Sequence, residues 1–358
     1  MVNTYTYAEL SAFTHKILQA IGCNTTDAAL AAEVLLSADM RGIDSHGVAR
    51  LSGYVRLQQA GRVNTTPTIK VIHETPSTAT VDADAALGLV AAPYAMNIAI
   101  QKATQVGTGW VAVQNSNHFG IAGYHAMLAL PHNMIGIAMT NASALVAPTY
   151  SKEKMLGTNP IAVAIPALTY PALVADFATT TAANGKLEIL QRKNQATPSG
   201  WVQTAEGETT TNASILKNDG ALLPLGSDYE HGSHKGYCLG SIVDILSGVL
   251  SGANYGPWVP PFPAYIPMPS AMPGKGIGHF FGALRVDAFA SETQFLTQMD
   301  NWISRFEAAT PIKANQPVIV PGTPEREMVA HRTLHGIPLL PQVITELQKI
   351  GEQYNITF

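Results

Sequence analysis

Only two cysteines, Cys23 and Cys238, occur in 358 residues. That excludes a disulfide framework and leads us to expect a reducing compartment, the cytoplasm. Charge is sparse too: 13% of residues are charged, and the formal net charge is −4. No lysine- and arginine-rich run is available to track a phosphate backbone, and no basic amphipathic stretch to lie on lipid. Neither nucleic acid nor a membrane is therefore expected as a partner. No apolar run reaches the roughly 20 residues that span a bilayer, and the opening MVNTYTYAEL lacks the basic and apolar regions of a secretory signal. Common nucleotide signatures are missing as well. There is no G-x-x-x-x-G-K-[ST]. Gly107-Thr108-Gly109-Trp110-Val111-Ala112 matches G-x-G-x-x-A as a string, but a helical stretch precedes it and a strand follows, the reverse of a Rossmann phosphate loop. Gly274-Lys275-Gly276-Ile277-Gly278 fails for the same reason. No metal site is expected: His231 and His234 do not form H-E-x-x-H, and His331 with His335 reads as a surface pair on a helix. No G-x-S-x-G elbow supports a serine hydrolase.

What is present is apolar: 46% of the chain, enough for a substantial core. Thr6 and Glu9 have capping-box spacing before an apolar-periodic run to Ile21. Further helices are expected over about 26–40, from Ser45 to Gly61, and over 91–105, 182–193, 235–251, 291–308, 323–335 and 340–352. From about Thr68 strand patterns take over: TATVDAD, GWVAVQN, MIGIAMTN, PIAVAIP, ALVADFA, GHFFGALRVD and QPVIVPG. The proline-rich stretch Gly256–Pro273 reads as an irregular connection. The pattern predicts an α+β protein, with helical segments at both chain ends and a mixed central region.

Chemistry concentrates in Asp44-Ser45-His46-Gly47-Val48-Ala49-Arg50. An imidazole can give or take a proton near neutral pH. A guanidinium one helical turn on can grip a carboxylate through two parallel hydrogen bonds. Locally, Ser45 as a helix cap with Arg50 as a solvated charge explains the segment as well. Other polar loops add to it: Asn115–Gly120 between a strand and a helix, Gly157–Pro160 before a strand, Asp176–Thr180 ending one, His231–Gly236 opening a helix, and Pro321–Glu325 joining a strand to a helix. Backbone amides at such helix starts, and Lys235, suit phosphate groups.

Together these segments resemble the malate/L-lactate dehydrogenase family of NAD(P)-dependent oxidoreductases, which also includes ureidoglycolate dehydrogenase, diketogulonate reductase and cyclic-imine (piperideine-type) 2-carboxylate reductase. The likeness covers nearly the whole chain. It implies a non-Rossmann nicotinamide-binding fold, with a helical domain from 1–70 plus about 290–358 and a central domain, 71–289, built on a largely antiparallel mixed sheet. It implies a homodimer with cofactor (NAD or NADP) and substrate near the interface. By resemblance His46 is the proton donor and acceptor, with Ser45 in its relay. Arg50 and Thr158 hold the carboxylate of a 2-oxo or 2-hydroxy acid, most simply oxaloacetate or malate. His118, Phe119, Gly120, Asp176, Phe177, Ala178, His234, Lys235, Pro321 and Gly322 contact the cofactor, and His118 could act on substrate instead. The only acid in Gly185–Leu190 is Glu188, so the aspartate relay of the imine reductases is not evident. Residues 227–231 are an extension relative to shorter family members. Another substrate of the same family, or a silent ligand-binding homologue, are the alternatives.

Overall fold

The computed structural model describes residues 3–358. Helix α1 (Tyr7–Ala20) begins at the expected capping box: Thr6 Oγ1 accepts the Glu9 amide, and the Glu9 carboxylate accepts the Thr6 amide at 2.8 Å. Helix α2 (Thr25–Met40) is capped by Asn24. The third helix departs from expectation. Residues 44–46 and 48–50 form two separate 3₁₀ turns, and α3 runs only over Leu51–Gln59. The reason is local: Gly47 is extended (ψ −145°), and the Val48 amide bonds the Asp39 carboxyl instead of a carbonyl one turn back. Ser45 therefore caps no helix.

A seven-stranded sheet follows. Strands β1 (Lys70–Glu74) and β2 (Thr78–Asp82) form a hairpin, and α4 (Gly88–Val106) crosses over to β3 (Thr108–Ser116). Then come α5 (Ala122–Met127), β4 (Met134–Thr140), β5 (Ile161–Ile165), β6 (Leu173–Phe177), α6 (Asn184–Arg192), α7 (Ser233–Asp244) and β7 (Ile277–Arg285). The sheet order is β1-β2-β3-β7-β4-β5-β6. Only β2 and β3 run parallel, as the crossover helix between them requires. The late strand β7 sits at the centre, between β3 and β4. Ala91, Ala92, Ala95, Ala99 and Ala103 bring α4 down onto this sheet around Phe281 and Phe119. Strand β1 escaped the sequence reading because it is an edge strand exposed on both faces, so it carries no alternation. A small three-stranded sheet, residues 202–203, 209–210 and 221–222, lies outside the main one.

The chain end returns to the start. After α8 (Glu292–Glu307) and α9 (Thr323–His335), residues Ile337–Leu339 pair antiparallel with Asn3–Tyr5, and α10 (Pro341–Tyr354) packs with α1 and α3. Leu10, Ile17, Leu35, Leu51, Tyr54 and Leu347 share that second core. Helix α8 instead places Ile303 against Leu173 and Val320, beside the sheet's far edge. The QPVIVPG segment is not a strand: prolines at 317 and 321 remove donors that a ladder needs. The segment 256–273 is irregular, with one 3₁₀ turn at Gly256–Trp258. Among the described residues no helix is long and apolar enough to cross a membrane.

Phe281 is fully buried where α4 meets β7. Phe281→Ala is expected to lower unfolding free energy by roughly 3–5 kcal/mol, read as a lower urea midpoint; a loss below about 1 kcal/mol would show that the sheet core repacks.

Candidate active site

The two 3₁₀ turns decide the geometry. Ser45 Oγ lies 2.9 Å from His46 Nδ1, which leaves Nε2 uncommitted. Arg50 Nε donates to the Ser45 carbonyl, so the guanidinium folds back beside the imidazole. Beneath them lies Asp39, 1% exposed. Its Oδ2 accepts the Val48 amide at 2.8 Å, and its Oδ1 has no hydrogen-bond partner. A Cβ at position 47 would overlap this carboxyl, so only glycine lets the segment cross over it. Burial pushes Asp39 up to about 8, against the pull of the Val48 bond.

Facing this segment is the loop after β3. The His118 ring stacks on His46 with centroids 5.6 Å apart. His118 Nδ1 receives the Tyr54 hydroxyl at 2.6 Å and the Gly120 amide at 3.3 Å. With Nδ1 accepting, the ring proton sits on Nε2 and His118 is a donor. Phe262, from the proline-rich connection, covers the group: its ring is 4.8 Å from His118, 5.3 Å from Tyr54 and 5.8 Å from the Arg50 guanidinium. On the other side α6 closes in. Gly185 abuts Ser45 and Arg50 so tightly that a Cβ would strike Ser45. Glu188 lies 4.0 Å from Arg50 and is held by Asn184. A cavity of about 300 Å³ opens here, lined by Ser45, Arg50, Gly185, Glu188, Phe262 and Tyr265 among others.

A second group of the expected residues lies on β6 and α9. The Asp176 carboxyl takes the Gly123 amide at 2.8 Å, and the Val174 amide donates to the Pro321 carbonyl at 3.2 Å. That brings 120–123, 176–178 and 321–322 into one neighbourhood. Burial raises Asp176 to about 6, with the Gly123 bond and Arg41 opposing. Phe119 is only 1% exposed and stacks on His279 in the core, so it offers a ligand its backbone alone. Thr158 is held beside Thr179, whose amide bonds its carbonyl, and Asn159 anchors the turn to Ala142 and Gly240. Among the described residues no hydrogen bond joins Thr158 to Arg50. His234 and Lys235 stand apart at the start of α7, where Tyr229 stacks between His234 and Tyr150. The 227–231 extension thus touches His234 and not the His46 group. His331 and His335 stack on α9 at 4.5 Å, and no group of three or more metal-type ligands occurs among the described residues.

These donors suit a nicotinamide dinucleotide. Asp176 has one oxygen without a protein donor, able to take ribose hydroxyls, and the buried His234 Nδ1 lacks any partner. Sequence reasoning missed Tyr54, Phe262 and Asp39. Tyr54 is four residues past Arg50 on the buried face of α3, and Asp39 is an acid on the buried stripe of an alanine- and leucine-rich helix; both were readable signals. Phe262 gave none, since nothing local says where a proline-rich loop packs.

Burial and Arg50 lower His46 to about 4, burial lowers His125 to about 4 and His279 to about 3, and His118 falls as well. Their ordinary value is 6.5, so the unfolded chain binds more protons and their contribution is lost as pH falls below it. Asp39 and Asp176 act oppositely: raised to about 8 and 6, they contribute fully below 3.8 and lose that as pH rises through those values. Four histidines outnumber two acids below pH 6, and Asp39 alone acts between 6.5 and 8. The urea midpoint should therefore peak near pH 6–7 and fall on both sides. A steady rise from pH 5 to 9 would contradict this balance, and Asp39→Asn should flatten the alkaline side.

Comparison with known proteins gives the family. The family model for malate/L-lactate dehydrogenase matches residues 5–348. A malate dehydrogenase of Pyrococcus abyssi is 40% identical over 97% of this chain and 94% of its own length. An L-sulfolactate dehydrogenase of Methanocaldococcus jannaschii is 35% identical, over 95% and 94%. The crystal structure of malate dehydrogenase from Entamoeba histolytica superposes with a TM-score of 0.92 at 30% identity, covering 100% of this chain and 99% of that one. The chain belongs to the malate/L-lactate dehydrogenase family, oxidoreductases that act on 2-hydroxy acids with a nicotinamide cofactor.

Proposed function

We propose that this chain is an NAD(P)-dependent dehydrogenase interconverting oxaloacetate and malate, with His46 as proton donor and acceptor and Arg50 as carboxylate clamp. The observation that carries the reading is the 44–50 segment: an imidazole with a free Nε2 beside a guanidinium, with Ser45 and Arg50 lining one cavity. Malate is favoured because the relatives reported above include malate dehydrogenases, and sulfolactate, a second anionic hydroxy acid, is the first alternative to assay.

A bound nicotinamide would supply the hydride to the carbonyl carbon. Arg50, with Thr158, holds the substrate carboxylate so that the carbonyl oxygen lies toward His46. His46 Nε2 then gives its proton to the oxygen as negative charge develops there, and Ser45 at Nδ1 holds the ring and relays the proton. In the reverse direction the neutral His46 removes it. Substrate binding helps: a carboxylate on Arg50 offsets the charge that depresses His46, raising its affinity for the proton it must carry. His118, proton on Nε2, donates to the substrate oxygen or the carboxamide of the cofactor. Phe262 excludes water.

For the cofactor, the reading assigns Gly120 and the backbone of Phe119, Asp176, Phe177 and Ala178 for ribose, His234 and Lys235 for phosphate, and Pro321 and Gly322 as a wall. NAD and NADP both remain to be assayed. A homodimer is proposed because Tyr237, Ile242, Ile245, Val249 and Leu250 leave an apolar face exposed along α7 and the turn after it. Residues 1–70 with about 290–358 are taken as one unit and 71–289 as the other, with α8 leaning on the sheet. Two free cysteines fit the cytoplasm.

NADH and NADPH oxidation with oxaloacetate, sulfopyruvate, pyruvate and a cyclic imine tests the reading; no turnover with any 2-oxo acid would defeat it. His46→Ala should lower kcat by roughly 10²–10⁴-fold with NADH binding intact, and near-normal turnover would remove His46 from its role. Arg50→Met should raise the oxo-acid KM at least tenfold. In the reduction direction the loss of activity with rising pH assigned to His46 should set in at higher pH in kcat than in kcat/KM, because the bound substrate compensates Arg50; coincident profiles would argue against the clamp.

A further inference from the structure

Arg332 lies on α9, more than 280 residues from the 44–50 segment in sequence, yet its side chain is 6% exposed and turned onto that segment. Its Nη1 donates to the main-chain carbonyl of Asp39 and to Asp44 Oδ1, and its Nη2 reaches Asp44 Oδ2 at 3.2 Å. One guanidinium thus ties the end of α2 to the residue just before Ser45. A forked guanidinium meeting a carboxylate at two points fixes direction as well as distance. The other end of α9 is held independently. Arg326 donates to the Ala172 carbonyl and to Thr323, and the Pro321 carbonyl accepts the Val174 amide, which seats the 321–323 loop on β6 just before Asp176. Met328 packs on the 41–43 turn between the two ends, closely enough that a Cβ on Gly42 would meet it.

We propose that Arg332 is a positioning residue of the dehydrogenase reaction: acting through Asp44 and the Asp39 carbonyl, it holds the turn that presents His46 and Arg50. This rests on the functional reading above. Arg332 does not line the cavity beside Arg50. Removing it frees Asp44 and takes one donor from the Asp39 carbonyl, which keeps the Gly42 amide, so the short turn loses its side-chain anchor while Gly47 and the Asp39–Val48 bond remain. Both presented side chains are then misplaced together, which predicts a joint loss of turnover and of substrate affinity. The cofactor loop keeps its own ties to β6, so cofactor binding is spared.

The test uses the full-length enzyme and whichever 2-oxo acid and nicotinamide nucleotide the wild type turns over. Arg332→Gln should lower kcat at least tenfold and raise the oxo-acid KM at least tenfold, while the nucleotide Kd, from fluorescence titration, changes less than twofold. Asp44→Asn should shift the same two constants in the same direction by a smaller factor. The double variant should be no worse than Arg332→Gln within twofold, because both act through one link. Arg332→Lys, which keeps the charge without the fork, should recover part of the loss. A role in stability alone would lower Tm and the active fraction, dropping kcat with KM unchanged; that result, or wild-type constants in both single variants, overturns the proposal. If Arg332→Gln does not fold, Asp44→Asn decides by the same criteria. A wild-type chain that reduces no 2-oxo acid defeats the functional reading and this proposal with it, whereas a working wild type beside unaltered variants defeats this proposal alone.

Discussion

The Asp39 carboxyl reaches from the last turn of α2 into the space beneath residues 44–50, takes the Val48 amide and fills the volume that any side chain at position 47 would need. That one bond removes a donor that would otherwise continue a helix, so a stretch with good helical spacing becomes two short turns joined at an extended glycine. The turns fold Arg50 back onto the Ser45 carbonyl and place it beside His46. An ionised carboxylate in this position would carry a large desolvation cost, and burial instead holds the acid largely protonated near neutral pH. The rest of the site, from His118 to Phe262, is packed around a segment whose shape depends on this buried acid.

Much of the fold was legible because local signals agreed with tertiary structure. The Thr6–Glu9 capping box, the alternation of β4 and the small-residue face of α4 each say locally what the core later requires. Where reading failed, the deciding interaction came from elsewhere in the chain. Periodicity predicted a helix from Ser45, and an acid on a different helix interrupted it. The valine- and isoleucine-rich run at 318–320 lacked a partner strand, and flanking prolines denied it one. Strand β1, exposed on both faces, had no pattern to read.

The site was legible in its ingredients and not in its assembly. Ser45, His46, Arg50 and His118 come together as types that suit proton transfer beside a carboxylate. Their supports are a tyrosine on α3, a phenylalanine from a proline-rich loop and an arginine near residue 330, and no spacing rule connects these. Charge is distributed with similar economy. Burial holds His46 and His118 below their ordinary value, so Arg50 and Arg56 are the cations that line the cavity, with Glu188 at 4.0 Å from Arg50 as a partial and displaceable partner. A carboxylate entering that cavity replaces a weak contact with a strong one.

The pairing of Asn3–Tyr5 with Ile337–Leu339 has a consequence for how the molecule comes into being. Helices α1 and α2 are made well before Leu347, which their core needs, and Arg332, which the turn beside them needs. Domains that fold as units usually do so as they emerge; here α1 and α2 must wait for Arg332 and Leu347, which are made much later. A ribosome-bound intermediate would expose the apolar faces of α1 and α2, and a truncated product could not carry a partly working centre. Synthesis of the segment from Arg332 to Leu347 is thus itself the step that closes this core around the 44–50 turn.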